Sequence, residues 1–337
     1  MDTLEELKQI ASLHSAILGV TDAAPFPDVA DTMHRRIDEG LSANLTFTYK
    51  DPTKATEPSR SFPWASSIVV VALPYLIDGD GPGERTVARF ADGDRYAALS
   101  LLVTEIAGHL EQAGWRTEIV IDDDRLVDRA VAERAGVGWW GKSTMVLTPG
   151  AGPWILIGSV VTDAVLPLDE PMRRTCGTCD ACIPACPTGA IVAPGVLDAR
   201  LCLAAIFQSR GDIPVDLRRA AGGRIYGCDD CLTSCPPGSR SLEALSSKRH
   251  DLTPDEVLAM SDEELNAVAD HWYVPGRKMR FVRRNALVAL GNTGGPDATA
   301  LARAYASHTD EMLVRHAQWA LERLEERRDR ESPSAIR

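Results

Sequence analysis

Eight cysteines carry the most specific chemistry in this chain, and all of them lie between residues 176 and 235. Cys176, Cys179, Cys182 and Cys186 are spaced C-x2-C-x2-C-x3-C and followed by Pro187. That spacing holds [4Fe–4S] clusters. Cys202, Cys228, Cys231 and Cys235 form a second group, again followed by a proline, Pro236. Two-residue gaps let a short loop wrap a cubane and present three thiolates to three of its corners. The fourth thiolate must come from elsewhere, and where two clusters share a chain the last cysteine of each run serves the other cluster. The expected sets are therefore Cys176, Cys179, Cys182 and Cys235 for one cluster, and Cys186, Cys202, Cys228 and Cys231 for the other. Zinc sites and disulfides are the competing uses of such residues. Zinc more often takes paired C-x2-C units or adds histidine, and none of the seven histidines falls between Cys176 and Cys235. Disulfides suit a secreted chain, whereas the acidic, amphipathic start MDTLEELKQIASLHSAILG reads as a first helix rather than a secretory signal.

The elements that must position these thiols divide the 337 residues into three expected units and a tail. Residues 1–165 alternate strand and helix signals. Ser67–Leu73 and Trp154–Thr162 are apolar, β-branched runs, as in buried strands. Arg116–Ile121 reads as a further strand, and Asp94–Ala113 and Leu126–Ala135 as helices. Residues 166–245 are rich in Pro, Gly and Cys, as loops wound around clusters would be. From 246 to 330 the chain reads as helices, starting with capping signals at Thr253-Pro254-Asp255-Glu256 and Ser261-Asp262-Glu263-Glu264. Phe281–Gly291, Asp297–Ala306 and Glu311–Arg327 follow, a pattern of short stacked helices like HEAT repeats. Residues 331–337 are read as a frayed tail. The expected class is α+β, with a layered α/β domain, a two-cluster domain and a helical domain. Hydrophobic content of 45% and charged content of 25% are ordinary for a globular protein. No apolar run is long enough to span a membrane. Clusters and free thiols fit the reducing cytoplasm, and a net charge of −12 argues against indiscriminate nucleic-acid binding.

The order of motifs resembles the epoxyqueuosine reductase family, cobalamin-dependent iron–sulfur enzymes of tRNA modification related to the reductive dehalogenases. The similar features are Ala132–Lys142 (AERAGVGWWGK), the GPWILIGSVVTD strand, the ferredoxin-like double cluster signature, RIYGCDDC at Arg224–Cys231 and the helical tail. This resemblance implies a reductive-dehalogenase-like cobalamin domain, two [4Fe–4S] clusters relaying electrons to cobalamin, and reduction of the epoxide of epoxyqueuosine to the alkene of queuosine at the tRNA wobble base. It also implies a tRNA anticodon stem-loop as partner, a low-potential donor such as flavodoxin or ferredoxin, and a monomer.

Site residues follow by position. The family's aspartate, fourteen residues before the glycine that corresponds to Gly136, falls on Asp122. A carboxyl there, after an apolar strand, is placed to protonate the oxygen of an opened epoxide. With Asp123 and Asp124 it also reads as a solvated acidic turn or a helix N-cap. Gly141, Lys142, Ser143 and Val146 correspond to the cobalamin pocket, with Lys142 set to meet a carboxamide or phosphate. Ala204, Cys228 and Asp229 are expected to touch the cofactor beside the second cluster. Arg277, Lys278, Arg280, Arg283 and Arg284 are five basic residues in eight positions, and with Arg210 they are expected to meet RNA phosphates. The same five could instead form a solvated helix face paired with Asp262–Glu264. Departures from the family surround the pocket: Asp123-Asp124-Arg125 replaces Ser-Gly-Pro, Asp128-Arg129 replaces Glu-Arg, Ser143 replaces Asn or His, and Cys235-Pro236-Pro237-Gly238 replaces C-P-W-N. A paralogous reductase of another substrate, a non-catalytic electron carrier and an RNA-binding iron–sulfur protein are the alternative readings.

Overall fold

The computed structural model describes residues 3–43, 45–247 and 250–331; most of the expected tail lies outside the described residues. Four strands form the central sheet: β1 (Ile17–Asp22), β2 (Ser67–Pro74), β3 (Thr117–Val120) and β6 (Ile155–Thr162), while the two-residue strands β4 (Trp139–Trp140) and β5 (Val146–Leu147) form a separate hairpin. The sheet order is β1-β2-β6-β3, and every pairing in it is antiparallel. Alternating strand and helix signals had suggested an α/β arrangement; the antiparallel sheet makes this unit α+β in the strict sense.

β2 is buried at every position but its last, because helices cover both faces of the sheet. Val69, Val71 and Leu73 share a core with Leu4 and Leu7 and with Leu99, Leu102, Ile106 and Leu110, contributed by helices Thr3–Leu13 and Arg95–Gln112. Ile68, Val70 and Ala72 point the other way, toward Leu126, Ala130 and Val131 in and before helix Asp128–Arg134. The two-residue side-chain period of a strand thus divides one sequence run between two cores.

The N-terminal segment differs from its sequence reading. The first helix stops at Leu13 and the chain turns through Ser15, at φ +58°, into β1. The stretch read as one helix therefore supplies an edge strand as well. Gly19 explains part of this: a Cβ there would lie 2.0 Å from the Ala135 carbonyl oxygen. Helix Asp128–Arg134 ends against that bare strand backbone.

Both capping boxes form. The Thr253 and Ser261 hydroxyls accept from the Glu256 and Glu264 amides, and each glutamate accepts from the amide of its cap residue. Helix Arg280–Thr293 is buried from Phe281 to Gly291. It shares a core with the helices at Pro254–Ala259, Asp262–Val268, Ala298–Ala306 and Glu311–Glu331. The cores do not respect the borders expected at 165 and 245. Val87, Ile225 and Tyr226 belong to the C-terminal core, and Leu232 and Leu242 to one N-terminal core.

Gly19→Ala is expected to destabilise the fold by about 2 kcal/mol or more, since backbone meets backbone and neither can give way. Equilibrium urea unfolding measures it.

Candidate active site

The two cysteine groups meet as the spacing requires. All eight thiols are free of disulfides. Burial raises the Cys235 thiol, and the neighbouring thiols of Cys176, Cys179 and Cys182 raise it further. Burial likewise raises Cys231, and the thiols of Cys202 and Cys186 add to it. Cys235 thus lies within reach of the first three thiols of the other run, and Cys186 within reach of Cys231, the proximity that crossed sets need. Cys182 also lies within electrostatic reach of Cys231, so the sets are adjacent. Eight clustered thiols, with Cys182, Cys202, Cys228, Cys231 and Cys235 raised chiefly by burial, fit iron, whose positive charge would favour their thiolate forms. Among the described residues, no three His, Cys, Asp or Glu side chains converge on one metal-ion position; a cubane spreads its thiolates over separate irons.

β3 leads into the three aspartates, which take different roles. Arg125 donates to both oxygens of Asp123 at 2.7–2.9 Å. Although burial works against it, this hydrogen bonding holds the Asp123 carboxyl below its usual range. Asp124 pairs with Lys54 at 2.7 Å. Asp122 alone is left without a hydrogen-bond or ion-pair partner among the described residues. Its backbone is left-handed, at φ +46°, a conformation that Asp tolerates better than most residues. Its carboxyl is open to solvent yet has protein around it. Burial raises its pKa, Arg129 opposes the rise and the charge of Asp123 adds to it. The solvated-turn reading thus holds for Asp123 and Asp124, and no side chain of the three caps the helix, whose N-cap is Val127.

The neighbours of Asp122 come from distant parts of the chain. Tyr96, from helix Arg95–Gln112, has its phenol pushed up by burial first and then by the charges of Asp122 and Asp128. Tyr226 is pushed up to about 12, chiefly by burial, with Asp122 contributing. It is fixed by its stack on Trp272, with centroids 4.5 Å apart, and by bonds at its hydroxyl from Gln208 at 3.1 Å and the Tyr273 amide at 2.9 Å. Arg129 lies within electrostatic reach of Asp122, Asp128 and Cys202 and donates to the Thr144 carbonyl at 3.3 Å. The second cluster's cysteines, the 142–146 loop and Asp122 therefore border one region. Sequence reasoning placed Asp128-Arg129 beside the pocket without a role, and it missed Tyr96.

The loop after helix Asp128–Arg134 is a β-hairpin, β4 to β5, closed by the Gly141 amide donating to Met145 O at 2.8 Å. Its glycines serve the hairpin itself: a Cβ on Gly138 would lie 2.5 Å from Leu147 O, and one on Gly141 2.3 Å from Leu147 Cδ1. Trp139 is core, while Trp140 is 40% exposed. Ser143 and Val146 are buried. Lys142 faces the first cluster rather than an open pocket: its ammonium donates to Gly177 O at 2.8 Å and its amide points at Cys176 Sγ, 3.5 Å away. The amides of Ala204 and Ala205 donate to the Cys202 sulfur. Asp229 is committed to a buried pair, accepting from the Arg89 amide at 2.9 Å and its guanidinium at 3.1 Å. It lines, with Cys228, a cavity of about 420 Å³ bounded by Arg85, Arg224 and Leu242; that cavity reaches the second cluster but not Asp122.

The expected basic stripe does not exist as a surface. Arg284 is fully buried and donates to the carbonyls of Ile206, Phe207, Ser209 and Gly211. Arg283 is buried against Asp262, Tyr305 Oη and Met260 O. Both are structural and not phosphate contacts. Arg280 pairs with Asp310 at 2.9 Å, and Arg277 donates to the carbonyls of Ala269 and Trp272 at 2.7 and 3.0 Å. Lys278 and Arg210 are exposed. Arg284 grips the carbonyls on both sides of Arg210.

A family model for a 4Fe-4S double cluster binding domain matches residues 175–238. An epoxyqueuosine reductase of Xanthomonas campestris pv. campestris is 34% identical over 316 residues, covering 86% of this chain and 88% of the relative. This chain belongs to the epoxyqueuosine reductase family. The epoxyqueuosine reductase of Bacillus subtilis is 33% identical over 319 residues, covering 88% of this chain and 80% of its own. A crystal structure of an epoxyqueuosine reductase with an epoxyqueuosine-modified tRNA-Tyr stem loop matches at a TM-score of 0.86 and 29% identity, over 95% of this chain and 90% of that one. Another, from Bacillus subtilis, has its catalytic loop, named for an aspartate, swung out of the active site; it matches at a TM-score of 0.82 and 28% identity, over 95% and 90% of the two chains.

The crossed cysteine pairing is open to test by iron content and electron paramagnetic resonance. Cys176→Ser and Cys235→Ser are each expected to leave about four of eight irons, and combining them to remove no more. Combining Cys186→Ser with Cys235→Ser is expected to remove both clusters.

Proposed function

We propose that this chain carries out its family's reaction, the two-electron, two-proton reduction of the epoxide of epoxyqueuosine in tRNA to the alkene of queuosine. The observation that carries the mechanism is Asp122: a lone unpaired carboxyl, held protonated to higher pH than usual, beside the residues of the second cluster. Cobalamin, when bound, would supply low-potential cobalt chemistry for the reduction. The residues present suit it, because Asp122, Tyr96, Tyr226 and Arg129 offer aromatic and polar groups around an open, unpartnered carboxyl. The backbone of Gly141–Ser143 and Ala204, beside the two clusters, completes the cofactor's surroundings.

Asp122 donates the proton that turns the leaving oxygen into a hydroxyl. Tyr96 and Tyr226 exclude water and hold the neutral carboxyl neutral, as low polarity around it disfavours charge. The Arg125 and Lys54 pairs keep the two neighbours of Asp122 from competing for its position.

The tRNA stem loop is the substrate's carrier. Arg210, exposed on a loop gripped from beneath by Arg284, is the proposed phosphate contact, with Lys278 and the exposed edge of Arg277 farther along. Flavodoxin or ferredoxin is the proposed donor, acting on a monomer in the cytoplasm. The helices from 254 onward are proposed as a HEAT-like unit, and the division at 165 and 245 as one of sequence segments whose cores are shared across the borders.

Nucleoside mass spectrometry of epoxyqueuosine-containing tRNA, incubated anaerobically with the loaded protein and a reductant, tests this reading; no queuosine would remove it. Asp122→Asn is expected to keep both clusters and lower kcat about 10²-fold or more, with Asp123→Asn and Asp124→Asn close to wild type. Activity should fall as pH rises through the raised pKa of Asp122, because the acid form is the active one. Arg210→Ala should weaken tRNA binding and reduce its salt slope by about one; an unchanged slope takes Arg210 out of the interface.

A further inference from the structure

Removing an epoxide oxygen as water takes two protons at the same atom. The first C–O bond breaks as the oxygen takes one proton, and the second breaks as the resulting hydroxyl takes another and leaves. The two electrons come from the low-potential redox partner. Asp122 holds one proton. Its open side is the side a substrate must occupy, so during turnover water is excluded from the direction that would otherwise recharge it.

A second carboxyl stands beside it. Asp128 opens the helix Asp128–Arg134, one turn of chain beyond Asp122, and its Oδ1 is shielded from solvent with no hydrogen-bond partner among the described residues. A buried carboxyl oxygen without a donor is costly for an ionised group and tolerable for a neutral acid. The groups that face it are Asp122 and Asp123 from the turn, Arg129 from its own helix and Tyr96 from helix Arg95–Gln112. Burial, then the charge of Asp122, push its pKa up to about 8, against the opposing pull of Arg129. The fold does nothing to relieve this: Arg129 spends a guanidinium nitrogen on the Thr144 carbonyl, and no residue caps the helix in its place.

We propose that Asp128 is the second proton store of this site, recharging Asp122 between the two protonations that release the oxygen as water. The balance is closed. Asp122 gives its proton to the oxygen as the first C–O bond breaks and becomes a carboxylate. Asp128 passes its proton to Asp122, which delivers it to the hydroxyl as the second C–O bond breaks. Both carboxylates regain protons from solvent once the product has left. Asp128 is thus a positioning and proton-supplying residue that acts through Asp122.

This rests on the reductase reading, and the two fail separately. If wild type makes no queuosine, the reading fails; the variants of Asp128 bear on Asp128 alone. With clusters and cobalamin loaded, Asp128→Asn is expected to lower kcat about 10-fold or more at neutral pH with KM little changed. It should also lose the decline of kcat near pH 8 that is expected of wild type. Asp128→Glu should restore both. Infrared difference spectra of the protein without substrate give a readout independent of turnover: the carbonyl stretch of a protonated carboxylic acid should vanish as pH rises through about 8 in wild type and be missing in Asp128→Asn. Sign and stability agree. A carboxyl whose folded pKa lies above its unfolded value loses its stabilising contribution as pH rises through that folded pKa. The Tm of wild type should therefore fall with pH up to about 8 more steeply than that of Asp128→Asn. An unchanged pH–rate profile in Asp128→Asn overturns the proposal. So does an equal loss of activity in Asp128→Glu, which would mark a packing role.

Discussion

Two guanidinium groups closed off from water hold together a region of short helices joined by loops. Arg89 reaches Asp229 and the carbonyls of Asp80, Gly81 and Gly83. Arg284 reaches four carbonyls between Ile206 and Gly211, with Asn285 beside it donating to Phe207 O and Ile225 O. Loops around a cluster leave backbone carbonyls without ladder partners, and such groups are costly when buried. A planar guanidinium offers five donors in a fixed fork and satisfies several at once. Burying the charge costs several kcal/mol unless its donors are used, and here they are. Truncating either arginine would expose both debts together, an orphaned set of carbonyls and a cavity.

The site inherits its form from this frame. Asp229 is fixed by Arg89, so the turn that carries Cys228 and Cys231 is fixed with it. The loop held by Arg284 carries Arg210 and is tied at Asp212 by Arg315 and at the Ile213 amide, which donates to His316 Nε2. His316 donates from Nδ1 to Met312 O, and burial lowers its pKa to about 4, so it remains a neutral acceptor through the physiological range. On the opposite side, β3 and the helix Asp128–Arg134 bring in two carboxyls, and the bare backbone of Gly19 lets that helix seat closely. Redox and acid functions are thus mounted on different layers that meet at Arg129.

Cysteine spacing made the two clusters readable from sequence, because ligand geometry is local and strict; the crossed pairing is the assignment that the spacing predicts. β2 and β6 were readable as apolar runs, and the capping boxes as local hydrogen-bond patterns. β1 was not, since Ile17–Asp22 is short and follows directly on an amphipathic helix whose end is set by Ser15 and by packing against Ala135. The five clustered basic residues misled, because charge in a sequence does not say which side of a helix is buried: Arg283 and Arg284 face inward only because distant carbonyls wait there. Tyr96 was silent, because it joins the site from a separate helix, Arg95–Gln112. Asp128 and Arg129 were legible as departures beside the pocket, but not their electrostatic reach to Asp122. The family resemblance located Asp122, but its separation from Asp123 and Asp124 came from Arg125 and Lys54.

Arg284 comes from the last quarter of the chain, yet the carbonyls that it satisfies follow directly on Cys202. The pocket of the second cluster is therefore complete only after the C-terminal helices have left the ribosome and folded. A nascent chain holding all eight cysteines still lacks Arg284 and the bonds it gives to the loop after Cys202. The cysteine motif and the frame of that loop are thus separated along the chain, and only the folded C-terminal helices join them.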